Sequence, residues 1–107
     1  MTALPTVPDP DALVAATLAC PHVASMSGGL LGEVATYLPG RRVRGIRTRP
    51  DGVEVHVIGV FGPSVTEIVS QVRAAVEPLV RGTELTVHVD DLAADLDDPT
   101  TKGARSA

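Results

Sequence analysis

Residues 52–92 read GVEVHVIGVFGPSVTEIVSQVRAAVEPLVRGTELTVHVDDL, and the spacing of their apolar residues changes twice. From 53 to 61 apolar residues recur at every second position before both faces become apolar, which predicts a strand with one face buried. From 65 to 80 they recur at i, i+3, i+4 and i+7, which predicts one amphipathic helix. From 85 to 89 they alternate again, which predicts another strand. Because a helix connects the two strands, we expect a right-handed crossover and a parallel pair.

The predicted helix has a clear start and an expected interruption. Gly62-Pro63 breaks the chain before it, and Ser64 with Glu67 three residues later has the pattern of a capping box. Pro78 removes a backbone hydrogen bond, so a kink or an early end is expected near Glu77. The apolar stripe consists of Val65, Ile68, Val69, Val72, Val76, Leu79 and Val80. We expect it to cover the sheet face that carries Val53, Val55, Val57, Leu85, Val87 and Val89.

Three shorter elements are predicted nearer the N-terminus. Asp9 is a favourable N-cap and Pro10 a favourable first helical residue, so a helix is expected over residues 10–19. Residues 22–26, HVASM, predict a brief strand. Residues 30–38 carry apolar residues at helical spacing and predict either a short helix or a mobile loop.

A further strand is expected over residues 42–49, where Val43 and Ile46 fall on opposite faces unless a bulge near Gly45 reconciles them. Residues 50–52, PDG, have turn chemistry and join this strand to the central one as an antiparallel hairpin.

These elements predict the fold class α+β: a small mixed sheet of about three to four strands, with a central amphipathic helix packed on one face and an N-terminal helix, in the order α-β-(α)-β-β-α-β. Residues 9–92 are expected to form this single domain. The polar or Pro-rich ends, residues 1–8 and 93–107, are expected to be disordered tails.

Composition narrows the function classes. A formal charge of −4 argues against a general nucleic-acid binder, for which a basic domain is expected. Cys20 is the single cysteine, so an internal disulfide and a thiolate zinc cluster are both excluded. A reducing cytoplasm is therefore the expected location. The sequence shows no secretion signal and no apolar run of about 20 residues, so direct membrane insertion is not expected.

Two histidines are the best candidates for chemistry. If the central and last strands are neighbours, His56 and His88 point away from the helix, alongside Glu54, Thr86 and Asp90. Two imidazoles and a carboxylate are a ligand set for a divalent metal. The sequence favours a plain polar sheet face, solvated or used for partner contact, because alternation alone does not fix metal–ligand distances. We therefore expect no metal and no cofactor.

Two other patterns receive structural interpretations. Cys20 and His22 share a face of an extended segment, but Pro21 separates them and no orienting group follows, so a small buried thiol is expected instead of a nucleophile–base pair. Residues 25–32, SMSGGLLG, resemble a Gly-rich phosphate cradle before a helix, but lack the dinucleotide spacing and the Walker lysine. A hinge is expected there, and no catalytic constellation remains, so we do not expect an enzyme.

Five arginines define a second class of function. They lie within nine residues: Arg41, Arg42, Arg44, Arg47 and Arg49. On a strand edge they would bind RNA or another polyanion. The acidic balance and the shortage of aromatic residues for base stacking weigh against this, since Tyr37 and Phe61 are the only ones. A solvated face or a partner contact is the alternative, and such charges also keep an edge strand from pairing with other copies.

Several local strings, in this order, resemble the alkaline shock protein family, the small envelope-stress proteins of Gram-positive bacteria. They are VASMSGG at 23–29 followed by a Leu-rich stretch and GRR at 40–42, FG at 61–62 followed by SVTEI at 64–68, and LTVHVDDL at 85–92. The resemblance covers roughly residues 12–92. The arginine bias with abundant Ala, Val, Gly and Asp favours a GC-rich source such as an actinobacterium.

The resemblance implies a non-catalytic cytoplasmic protein tied to cell-envelope stress response or homeostasis. It further implies assembly with itself as an oligomer, or with a membrane-anchored relative that holds it at the membrane. No catalytic residues are carried over.

Overall fold

The structure of the protein, a computed structural model, describes residues 9–29 and 31–93. Its elements are α1 (Pro10–Leu18), β1 (Val23–Met26), β2 (Ala35–Leu38), β3 (Arg41–Arg44), β4 (Ile46–Arg49), β5 (Gly52–Val60), α2 (Val65–Val76), a 3₁₀ turn (Glu77–Leu79) and β6 (Glu84–Ala93). The predicted α+β class is confirmed. Of the tails predicted at 1–8 and 93–107, residues 1–8 and 94–107 lie outside the described residues. Ala93 is the last residue of β6, so the predicted boundary is one residue too early.

The central sheet is built around β5. Strand β6 pairs with it in parallel from Gly52↔Glu84 to Val60↔Ala93, so the predicted parallel pair is confirmed. Strand β4 pairs antiparallel with the first half of β5, and β1 pairs antiparallel with its second half. Because β6 covers one edge of β5 over its whole length, β1 and β4 lie end to end along the other edge.

Helix α2 packs on one face of this sheet and forms the centre of the core. Ile68, Val72 and Val76 are fully buried. They face a strand surface in which Val55 and Val57 are also fully buried. Burial of each such side chain stabilises the fold by about 1.5–3 kcal/mol, which makes this contact the main determinant of the architecture.

Two residues of the predicted helical stripe are exposed, whereas its last residue, Val80, is buried as expected. Val65 is 51% exposed because it is the first helical residue and precedes the buried turn, and Leu79 is 42% exposed because it lies beyond the helix end. The helix stops at Val76 and continues as the 3₁₀ turn that contains Pro78, so the expected early end is confirmed.

Both helices begin as predicted. The Ser64 hydroxyl accepts a hydrogen bond from the Glu67 amide at 3.1 Å, and the Ser64 amide donates to the Glu67 carboxylate at 2.8 Å. The Asp9 carboxylate caps α1 by accepting from the Asp11 amide at 3.0 Å. These contacts satisfy amide groups that have no partner within a helix.

For residues 30–38 the predicted alternatives are a short helix or a mobile loop, and residues 35–38 are neither. Residues 35–38 form β2, which pairs antiparallel with β3 in a separate two-stranded sheet, and Leu30 lies outside the described residues. A run this short fits both periodicities, and the β-preferring Thr36 and Tyr37 favour the strand. Gly40, at φ 78°, closes the tight turn of the hairpin.

The strand predicted over residues 42–49 is two strands in different sheets. Gly45 separates them at φ 89°, where the chain leaves the small sheet and enters the central one. Its amide donates to the Val34 carbonyl at 2.9 Å, and its carbonyl accepts from the His56 amide at 2.8 Å. The irregularity expected near Gly45 is present, but it is a junction between sheets and not a bulge in one strand.

Candidate functional site

A cluster of polar side chains lies on the sheet face opposite α2. Residues two apart on a strand share a face, so Glu54 and His56 project together from β5. The parallel register places His88 beside His56, and Asp90 shares the face of His88 because it lies two residues further along β6. We call Glu54, His56, His88 and Asp90 the polar cluster.

His56 is held at the middle of this cluster by its backbone. Its amide donates to the Gly45 carbonyl at 2.8 Å, and its carbonyl accepts from the Ser27 amide at 2.9 Å. It therefore lies where the segments leading into β4 and out of β1 meet. The imidazole is 12% exposed and stacks on His88, with ring centroids 4.2 Å apart and an interplanar angle of 14°.

Both ring nitrogens of His56 face carboxylate oxygens. Nδ1 lies 3.0 Å from Asp90 Oδ2, and Nε2 lies 3.3 Å from Glu54 Oε1. Asp90 Oδ2 also accepts a hydrogen bond from the Ser27 hydroxyl at 2.8 Å, and that hydroxyl accepts from the Gly29 amide at 3.1 Å. The orientation of His56 is thus fixed through a chain of contacts that reaches the 27–29 loop.

The carboxylates of the cluster are kept ionised. Burial acts to raise the pKa of Asp90, but the hydrogen bonds from His56 and Ser27 outweigh it and leave the pKa lowered. Burial also acts to raise the pKa of Glu54, and the His56 contact together with Arg49 and Arg47 reverses that effect. Two negative charges therefore bracket one imidazole at neutral pH.

Arg47 and Arg49, both on β4, pair with Glu54. Arg49 NH2 lies 3.0 Å from Glu54 Oε2, and Arg47 NH1 lies 3.6 Å from Oε1. The β4–β5 register, Arg47↔Glu54, explains the approach. These two arginines therefore lie beside the polar cluster, and both are paired with Glu54.

Ser27, Asp90 and His56 are the residue types of a hydrolytic triad, but their hydrogen bonds are not those of a triad. Ser27 donates to Asp90 and not to His56, so the imidazole is not placed to take the serine proton. What the arrangement offers is a ligand set. Donor atoms of Glu54, His56 and His88 all lie within 4.8 Å of one another.

The five arginines of residues 41–49 do not form one surface. Arg41 on β3 makes a two-point contact with Asp11 on α1, in which NH1 lies 3.0 Å from Oδ1. The hydrogen bond and charge of Arg41 lower the pKa of Asp11. Arg42 and Arg44 are exposed on β3, and within residues 9–29 and 31–93 neither has an ion-pair partner.

An open groove of about 660 Å³ lies between α1 and β3. Its lining combines apolar side chains with three arginines and one carboxylate. We call it the arginine groove, and it is lined by Asp11, Val14, Ala15, Leu18, Met26, Arg41, Arg42, Val43 and Arg44. Leu18 is 47% exposed, a large apolar side chain left accessible beside guanidinium groups. The sequence pattern indicates the arginines but not the groove, because only the tertiary fold brings α1 against β3.

Cys20 is a buried thiol, as expected from the sequence. Its Sγ lies 3.6 Å from the Ala16 carbonyl and 3.7 Å from the Gln71 carbonyl, and burial raises its pKa. The His22 amide donates to the Gln71 side chain at 2.7 Å. A thiol with a raised pKa is a weak nucleophile, so this region offers a packing role.

The Gly-rich segment 25–32 is not a phosphate cradle. A strand, and not a helix, follows it, so the helix dipole that such a cradle needs is missing there. Its Ser27 hydroxyl is directed at the Asp90 carboxylate, which would repel an anion. In the part of this segment that the structure describes, the role is to support the polar cluster.

Comparison of the chain with protein-family models, with curated proteins and with solved structures finds no match in any of the three. Among the helices of residues 9–29 and 31–93, none combines the length and the apolar character needed to cross a membrane.

Proposed function

We propose that this chain is a non-catalytic interaction protein that assembles with another protein through the arginine groove. The observation that carries the proposal is the combination, in one groove, of the exposed Leu18 with Arg42 and Arg44. A protein with a net charge of −4 places accessible guanidinium groups beside apolar side chains. Such a surface fits a short segment that carries both carboxylates and apolar side chains.

Arg41 contributes to this site indirectly. Its ion pair with Asp11 links β3 to α1 across the groove. Both side chains are about half exposed, so the pair itself contributes little to stability. It leaves Arg42 and Arg44 as the arginines available to a partner.

The resemblance to alkaline shock proteins supports the biological setting of this proposal. The partner is a second copy of the chain or a membrane-anchored relative, and the chain works in the cytoplasm in cell-envelope stress response or homeostasis. The resemblance rests on the ordered strings at 23–29, 40–42, 61–68 and 85–92.

The test is site-specific photo-crosslinking in native cell extract. A photoreactive phenylalanine replaces Leu18 in the groove or, as a matched control, the similarly exposed Val65 at the start of α2. We expect a discrete protein adduct only from position 18, enriched in the membrane fraction and lost with Arg42→Ala plus Arg44→Ala. Equal adducts from both positions would contradict the proposal.

A second candidate function is polyanion binding, favoured by the same Arg42 and Arg44. Two phosphate contacts to single-stranded RNA predict a log–log salt slope of about −1.4, so raising salt from 50 to 300 mM should weaken binding about tenfold. Filter binding with the wild type and with Arg42→Ala plus Arg44→Ala measures this. Affinity that does not change with salt would remove this candidate.

A further inference from the structure

His56 presents both of its ring nitrogens to carboxylate oxygens. Nδ1 lies 3.0 Å from Asp90 Oδ2, and Nε2 lies 3.3 Å from Glu54 Oε1. An imidazole that donates from one nitrogen can bind a metal ion through the other. With Nδ1 directed at Asp90, Nε2 and Glu54 Oε1 are two potential ligand atoms that face one another.

We propose that Glu54, His56 and His88 form a binding site for a divalent transition-metal ion of the zinc class. The ligands are Glu54 Oε1, His56 Nε2 and one ring nitrogen of His88. For metal–ligand distances near 2.0–2.1 Å, neighbouring ligand atoms of a tetrahedral site lie about 3.4 Å apart. The Nε2–Oε1 distance already has this value, and all three donors lie within 4.8 Å.

The surrounding contacts are those that orient a metal-binding histidine. Asp90 Oδ2 lies 3.0 Å from Nδ1 of His56, which directs Nε2 at Glu54, and Ser27 holds Asp90 in turn. His88 is exposed on β6, so rotation of its side chain out of the stack brings a nitrogen to the ion. With three protein ligands, the fourth position is open to water.

The ligand types select the metal. Two imidazoles with one carboxylate suit zinc, cobalt or nickel better than magnesium or calcium, which prefer all-oxygen ligands. Arg47 and Arg49 contact Glu54 and oppose the positive charge of the ion. We therefore expect weaker binding than at structural zinc sites, and we expect removal of Arg47 to strengthen it.

The site is tested by titrating zinc chloride and cobalt chloride into the full chain after chelator treatment and dialysis at pH 7.5. Calorimetry and the visible spectrum of bound cobalt give the stoichiometry and the coordination. We expect one equivalent, with a cobalt spectrum of four- or five-coordinate type. His88→Gln, at an exposed position, should weaken binding at least tenfold, and Asp90→Asn, at a positioning residue, about tenfold.

Two further variants make the test specific. Arg47→Gln should bind the ion several-fold more tightly, an effect that a merely structural role of Arg47 does not give. His22→Gln changes the remaining histidine, in the turn before β1, and should bind as the wild type does. Absence of zinc binding at millimolar concentration overturns the proposal. Binding that His88→Gln leaves unchanged also overturns it.

Discussion

Glu67 illustrates how one side chain sets the start of an element. Its carboxylate accepts from the Ser64 amide while its own amide donates to the Ser64 hydroxyl. The hydrogen bond from the Ser64 backbone, followed by the one from its side chain, lowers the pKa of Glu67. The folded state therefore prefers the ionised form more strongly than the unfolded state does.

This preference predicts a pH-dependent contribution to stability. Because the pKa of Glu67 is lower in the folded state, the contribution is fully present above the unfolded-state pKa, near 4.5, and is lost as pH falls through the folded-state pKa. Urea unfolding should show the wild type to be more stable than Glu67→Gln at pH 7, with the difference shrinking as pH falls below the unfolded-state pKa. A difference that stays constant with pH would contradict this origin.

The hydrogen bond that the Ser64 hydroxyl accepts in the same cap predicts a second effect on stability. Ser64→Ala removes the acceptor for the Glu67 amide and should lower the free energy of unfolding by about 1 kcal/mol. Ser64→Asp, which keeps an acceptor at the N-cap, is the matched control and should remain close to the wild type. Equal losses in both variants would show that the hydroxyl itself, and not its capping bond, matters.

At the scale of elements, the junction at Gly45 connects the two sheets and supports the polar cluster. Its positive φ is strained for any residue with a Cβ, and an added Cβ would lie 2.8 Å from Met26 Cε and 3.2 Å from the His56 carbonyl. We expect Gly45→Ala to lower the free energy of unfolding by about 1–3 kcal/mol, measured by urea denaturation. Gly82→Ala, also at positive φ but with open space around it, should lose less.

Patterns that persist over many residues predict their elements well. The alternation in β5 and the 3.6-residue period of α2 identify both elements, their parallel crossover and the face on which His56 and His88 lie. The run at 30–38 is too short for either period to decide, so β2 could not be told from a helix. The division of 42–49 depends on hydrogen bonds from Gly45 to Val34 and His56, which are distant in sequence and leave no local pattern.

For the candidate sites too, local sequence patterns predict some features and miss those that depend on contacts between distant residues. Strand alternation predicts that His56 and His88 share a face with Glu54, because parallel neighbours place them in register. It does not predict that Ser27 donates a hydrogen bond to Asp90, or that Arg47 and Arg49 form ion pairs with Glu54. Those contacts cross between strands through side-chain geometry, and the arginine groove likewise requires α1 to dock against β3.

At the scale of the whole molecule, α1 ties the N-terminal part of the described chain to the core. Leu13 and Thr17 are fully buried, and the Thr17 hydroxyl is satisfied by the Leu13 carbonyl at 2.7 Å. Cys20 follows α1 and contacts the carbonyls of Ala16 and Gln71, so its thiol lies between the end of this helix and α2. Its reactivity therefore reports whether the two helices stay together.

This arrangement predicts that the domain unfolds as one cooperative unit. Cys20 is 5% exposed and its pKa is raised by burial, so an aromatic disulfide reagent should label the native protein at least 100-fold more slowly than the unfolded chain. As urea increases, the labelled fraction should rise at the same midpoint as the loss of helical circular dichroism. Cys20→Ala plus Leu18→Cys places the thiol at an exposed position of α1 and should be labelled rapidly without urea. Labelling of Cys20 well below the circular dichroism midpoint would show that α1 undocks by itself, and the arginine groove would then open with it.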